Sequence, residues 1–89
     1  MKLWILQPIE DHPSGNWSPW FDKAFGFVVR ADSESEARNF ADMESGDENG
    51  RNWSRRDVMN PWLDPETSTC VELTASGDAG VVMKDFHAA

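Results

Sequence analysis

The sequence predicts a small α+β protein, a four-stranded, mainly antiparallel sheet in the order ββαββ with one main helix packed on one face. Three observations predict it. Four short runs rich in aliphatic, aromatic and β-branched residues are separated by proline or by turn-forming residues. One segment carries a helix-start signal followed by apolar residues at helical spacing. The 89 residues hold too few helical segments to supply the crossovers that a parallel sheet requires. At this length residues 1–89 are expected to form a single domain with a modest core.

The elements follow in order. Residues 2–7 (KLWILQ) are an apolar run closed by Pro8 and read as a strand buried on both faces. Residues 9–23 carry Pro13, Gly15 and Pro19 among polar residues and read as a long loop, one that also holds Trp17, Trp20 and Phe21. Residues 24–31 (AFGFVVRA) read as the second strand, with Gly26 marking a bulge or a close backbone approach. Ser33 and Glu36 then match a capping box, in which each side chain satisfies a free backbone N–H. Ala37, Phe40 and Ala41 form an inward-facing stripe, and Gly46 is the stop, which gives a helix over 34–43. Residues 44–68 read as loop, with one helical turn at 54–59 and with Pro61 and Pro65 bracketing Trp62 and Leu63. Residues 69–74 (TCVELT) alternate Cys70 and Glu72 against Val71 and Leu73 as the third strand. Turn residues Ser76, Gly77 and Asp78 lead to the fourth, 81–86 (VVMKDF).

Charge narrows the function. Sixteen acidic against eight basic side chains leave a net charge of −8. That balance argues against direct, nonspecific nucleic-acid binding, which needs Lys and Arg to displace counterions, and against an anionic membrane surface. No apolar run approaches the roughly 20 residues of a membrane span. Residues 1–9 are too short, with flanks too acidic, for a secretory signal. Cys70 stands alone and makes no internal disulfide. The expected location is the cytoplasm of a bacterial host.

Six of the eight net negative charges fall in residues 32–48, where Asp32, Glu34, Glu36, Asp42, Glu44, Asp47 and Glu48 oppose Arg38 alone. One reading is a solvated helix face whose first-turn acids suit the helix dipole. The functional reading is an acidic surface that meets a basic partner at a site made for phosphates. Such mimicry needs a dense array, because duplex DNA presents about one charge per 1.7 Å. Trp4 belongs to the core, whereas Trp17, Trp20, Trp53 and Trp62 fall in loops. They either plug the open side of the sheet or anchor an interface. Arg51, Arg55 and Arg56 beside Trp53 form a basic cluster that neutralises the acidic helix or pairs with a partner's acids. The candidate partner-binding set is therefore Glu34, Asp42, Glu44, Asp47 and Glu48 with Trp17, Trp20, Trp53 and Trp62.

Catalytic chemistry finds little support. His12 and His87 lack an orienting partner in sequence, and Cys70 reads as a buried strand thiol. There is no C-x-x-C, no H-E-x-x-H and no Gly-rich phosphate loop. Residues 42–47 miss the glycine and terminal glutamate positions of a calcium loop. The expectation is a non-enzyme with no metal and no cofactor.

The runs FDKAFGFVVRADSESEARNFADMESGDENG, NPWLDPETSTCVELT and AGVVMKDF resemble a family of short, uncharacterised proteins of phages and bacterial genomes, over about residues 20–86. In size, charge and strand order the chain is also similar to small acidic anti-CRISPR proteins. The second resemblance implies a stoichiometric inhibitor of a CRISPR effector complex, acting at a basic surface that holds nucleic acid. The expected function is thus a non-enzymatic acidic inhibitor, phage or mobile-element in type, of a nucleic-acid-handling host complex. The alternative is a structural or regulatory interaction module, homodimeric through one of the sheet's two open edges.

Overall fold

The computed structural model describes residues 1–9, 17, 24–45 and 60–86. Among them the chain runs β1 (Lys2–Pro8), β2 (Phe27–Ala31), α1 (Glu34–Glu44) and β3 (Ser68–Leu73). The three strands form one antiparallel sheet in the order β2-β1-β3. The class is α+β, with one helix on an antiparallel sheet.

Strand register explains which side chains meet. Because strand side chains alternate, Leu6 lines up with Phe27 and Cys70, and Trp4 with Val29 and Glu72, on the face toward α1. Ile5 lines up with Val28 and Val71, and Leu3 with Arg30 and Leu73, on the opposite face. Pro8 ends the strand as expected, and the pairing continues one residue further through Ile9 N–H donating to the Thr67 carbonyl at 2.9 Å. Gly26 makes the close approach expected of it, since a Cβ there would lie 3.3 Å from the Leu6 carbonyl oxygen.

The capping signal at Ser33 is realised in a shifted form. Ser33 Oγ accepts the Glu36 N–H at 3.2 Å, while Glu36 reaches back to the Asp32 N–H at 3.1 Å instead of to Ser33 itself. Ser45 closes the helix, its hydroxyl donating to the Asp42 carbonyl at 2.9 Å. The expected stop at Gly46 lies outside the described residues, as does the helical turn at 54–59.

Three expectations are corrected. First, residues 81–86 are an exposed irregular segment, so the described sheet has three strands instead of four. The reason is the connection. A hairpin needs a loop of about two to five residues, but residues 74–80 intervene, with Gly77 and Gly80 at φ of 147° and 158°. These glycine-favouring angles carry the chain over the sheet, where Met83 shares shallow grooves with Ile5. Second, β1 is buried on both faces only at its centre, where Ile5 on the outer side and Leu6 on the inner side are buried, whereas Leu3 on the outer side is exposed. Third, Phe40 does not face inward. Ala37 and Ala41 touch the core as expected, but the flanking buried positions belong to Arg38 and Asp42.

Two buried tryptophans complete the core beside Leu6, Ala31, Ala37 and Ala41. Trp62 packs edge-on against Trp17 and Phe27, each with ring centroids 4.9 Å apart. Such T-shaped pairs match the positive ring edge to a negative ring face. Trp62 is held by the tight turns of residues 60–68, in which the Asp64 carbonyl accepts both Thr67 and Ser68 N–H at 3.1 and 3.0 Å. The small side chains of Ala37 and Ala41 let the helix approach closely, and the two indoles fill the rest.

Candidate functional site

The site is built on the solvent side of α1. With about 100° of rotation per residue, Ala37 and Ala41 mark the line nearest the sheet. Phe40 flanks that line on one side, and Arg38 with Asp42 on the other. Arg38 is drawn in because its guanidinium finds acceptors there. Its Nη1 donates to the Trp62 carbonyl at 3.0 Å and to Ser68 Oγ at 2.8 Å, and its Nη2 donates to the Ser68 carbonyl at 3.1 Å. Its Nε donates to Glu34 Oε2 at 2.9 Å. A planar fork with several donors suits this task where an ammonium does not.

On the flank opposite Arg38, Phe40 and Met43 are 44% and 47% exposed. Together with Glu36 and Glu44 they occupy positions i, i+4, i+7 and i+8, one continuous strip along the helix. The outward face is therefore an apolar pair with a carboxylate at each end. Sequence reasoning missed Phe40 and Met43 as surface residues because hydrophobicity assigned Phe40 to the core. The legible signal was the spacing of Glu36, Phe40, Met43 and Glu44.

The nine residues of the candidate set are distributed as follows. Glu44 is exposed on α1, and Glu34 is exposed but engaged by Arg38. Asp42 is buried and accepts from Asn60 Nδ2 at 3.1 Å, so it belongs to the fold and not to a surface. Trp17 and Trp62 are core residues, and the Trp17 indole N–H donates to the Thr67 carbonyl. They plug the open side of the sheet, and as placed neither can anchor a partner. Asp47, Glu48, Trp20 and Trp53 lie outside the described residues, as do the Arg51, Arg55 and Arg56 cluster and both histidines.

These placements bear on phosphate mimicry. Glu36 and Glu44 stand eight residues apart, about 12 Å along the axis at 1.5 Å per residue, against about 1.7 Å per charge in a duplex. With Glu34 paired and Asp42 buried, the described part of α1 presents these widely spaced carboxylates beside an exposed apolar pair.

Cys70 sits half-buried on the inner face of β3. Burial pushes its thiol up from the ordinary range; the Arg38 guanidinium pulls it down and the Glu34 carboxylate adds to the rise. Because the thiolate is the reactive form, Cys70 is expected to react with iodoacetamide more slowly than an unstructured cysteine at pH 8. Denaturation should abolish the difference, and equal rates in the folded protein would contradict this assignment. Among the described residues no group of three or more His, Cys, Asp or Glu is placed to hold a metal ion, and no helix is long and apolar enough to cross a membrane.

Compared with known protein families, curated proteins and solved structures, the chain matches none.

Proposed function

We propose that this protein is a non-enzymatic binding protein that docks the outward face of α1 on a basic, nucleic-acid-handling surface of a host complex and thereby inhibits it. A CRISPR effector complex is the first target, the expectation raised by the chain's small size and acidic charge. The observation that carries the reading is the strip of Glu36, Phe40, Met43 and Glu44, in which an apolar pair stands exposed on the helix of a chain with net charge −8. Acids at a rim set encounter rate and orientation, while a desolvated apolar anchor sets residence time. Phe40 and Met43 take over the anchoring role first assigned to the loop tryptophans.

The test is inhibition of target DNA binding by a purified effector complex titrated with the protein. Phe40→Ala, at an exposed position, should leave folding intact and weaken inhibition by about 30-fold or more, as for an anchor worth about 2 kcal/mol. Reversing Glu44, Asp47 and Glu48 to lysine should slow association by about tenfold at low salt and less at high salt. Undiminished inhibition by both variants would sink the proposal.

A further inference from the structure

On the face of the sheet that α1 does not cover, Ile5 is buried more deeply than its place in the sheet accounts for. It is 8% exposed, although Val28 and Val71, paired on either side of it, are 58% and 57% exposed. Leu3 lies on the same strand and the same face, between the long side chains of Arg30 and Leu73, and is 37% exposed. The difference is residues 74–86, which cross this face beyond the end of β3. Met83 and Ile5 together line two shallow grooves, one shared with Phe25 and Val28 and the other with Val71 and Asp78, and Leu3 lines neither. Met83 is also the apolar residue of this segment that is more than half covered, at 42% exposed, whereas Val81, Val82 and Phe86 project into solvent. Met83 therefore supplies the cover that Ile5 has and Leu3 lacks.

We propose that residues 74–86 are a hinged strap, latched by Met83 over Ile5, that opens to uncover the row Val28–Ile5–Val71 while the rest of the fold stays intact. Two features permit the motion. Among the described residues no backbone–backbone hydrogen bond involves residues 75–84, so this part of the strap is not held by a ladder. A segment held by a few side-chain contacts opens at a lower free energy than a paired strand. The second feature is the hinge. Gly77 and Gly80 carry the chain at φ of 147° and 158°, and a Cβ built on either one meets nothing within 4 Å. Backbone conformation, not crowding, is what requires glycine there. Methionine suits the latch, because its unbranched thioether chain adapts to an irregular apolar seat. The strap thus lets the chain cover the centre of its own apolar row, on the side of the sheet away from α1.

Thiol labelling of the full chain tests this without any target complex, so its failure is distinguishable from failure of the proposed function. With Ile5→Cys and Cys70→Ser combined, the thiol at position 5 is covered while the strap is closed and reacts with iodoacetamide when it opens. Opening of the strap alone predicts a labelling rate nearly independent of urea below the unfolding transition. Adding Met83→Ala, which removes the latch, should raise the rate by about tenfold. Adding Gly77→Ala, which strains the closed path without a clash, should do the same. Neither should shift the urea midpoint by more than a small amount. Should Ile5→Cys fail to fold, methyl NMR of the unaltered protein serves instead. A cross-peak between the Met83 and Ile5 methyls is then expected, and Gly77→Ala should weaken it. A labelling rate that climbs with urea as global unfolding does, a rate indifferent to both substitutions, or a Met83 methyl with no contact to Ile5 would overturn the assignment.

Discussion

Replacing Arg38 with alanine is expected to lower the unfolding free energy by about 2–5 kcal/mol, through the buried acceptors it leaves without a donor. Arg38 is only 7% exposed, and its guanidinium ties α1 to the Trp62 and Ser68 carbonyls and to the Ser68 hydroxyl. Its loss leaves buried acceptors short of a donor, at about 1–3 kcal/mol for each group left unsatisfied. Against a total stability of roughly 5–15 kcal/mol for a small domain, this is close to unfolding. Arg38→Lys should recover only part of the loss, since one ammonium cannot reach acceptors set out for a fork. Glu34→Gln should cost about 0–1 kcal/mol, because that carboxylate is half exposed to solvent. Urea titration followed by tryptophan fluorescence measures all three. A change below about 1 kcal/mol for Arg38→Ala would contradict the structural role assigned to it.

Trp62→Ala should cost about 3–5 kcal/mol, the range for emptying a large aromatic site in a core. Phenylalanine substitutions separate packing from hydrogen bonding. The Trp62 indole N–H has no hydrogen-bond partner among the described residues, so Trp62→Phe loses contact area alone. Trp17→Phe loses area and also the bond to the Thr67 carbonyl, worth about 1 kcal/mol more. Thermal unfolding of the two variants should therefore place Trp17→Phe below Trp62→Phe. The reverse order would mean that the indole nitrogens are not arranged as described.

What could be read in advance, and what could not, follows the range of the interactions. The Ser33–Glu36 cap and the alternation of Cys70 and Glu72 against Val71 and Leu73 depend on neighbours a few residues away, and both are present. The burial of Arg38 depends on Trp62 and Ser68, 24 and 30 residues distant. No local pattern announces that three acceptors wait there, and hydrophobicity alone favours Phe40 for the same place. Residues 81–86 have strand-forming composition, but their pairing depended on a reversal that the path through Gly77 and Gly80 does not make. The loop tryptophans posed a choice between plug and anchor that only three-dimensional packing decides. For Trp17 and Trp62 it is plug. Of the candidate site, Glu44 was legible from charge, whereas Phe40 and Met43 became visible only once the helix was rotated to suit Arg38.

The central claim is that the outward face of α1 meets a basic, nucleic-acid-handling partner. The most direct measurement is an affinity capture from a nuclease-treated bacterial lysate containing CRISPR effector complexes. It compares the unaltered protein with Phe40→Ala at low and high salt, with retained proteins identified by mass spectrometry. The account predicts one effector subunit retained in near-stoichiometric amount, lost as salt rises, and lost with Phe40→Ala at low salt. Retention that ignores both salt and Phe40→Ala, or recovery of this chain alone, would contradict it.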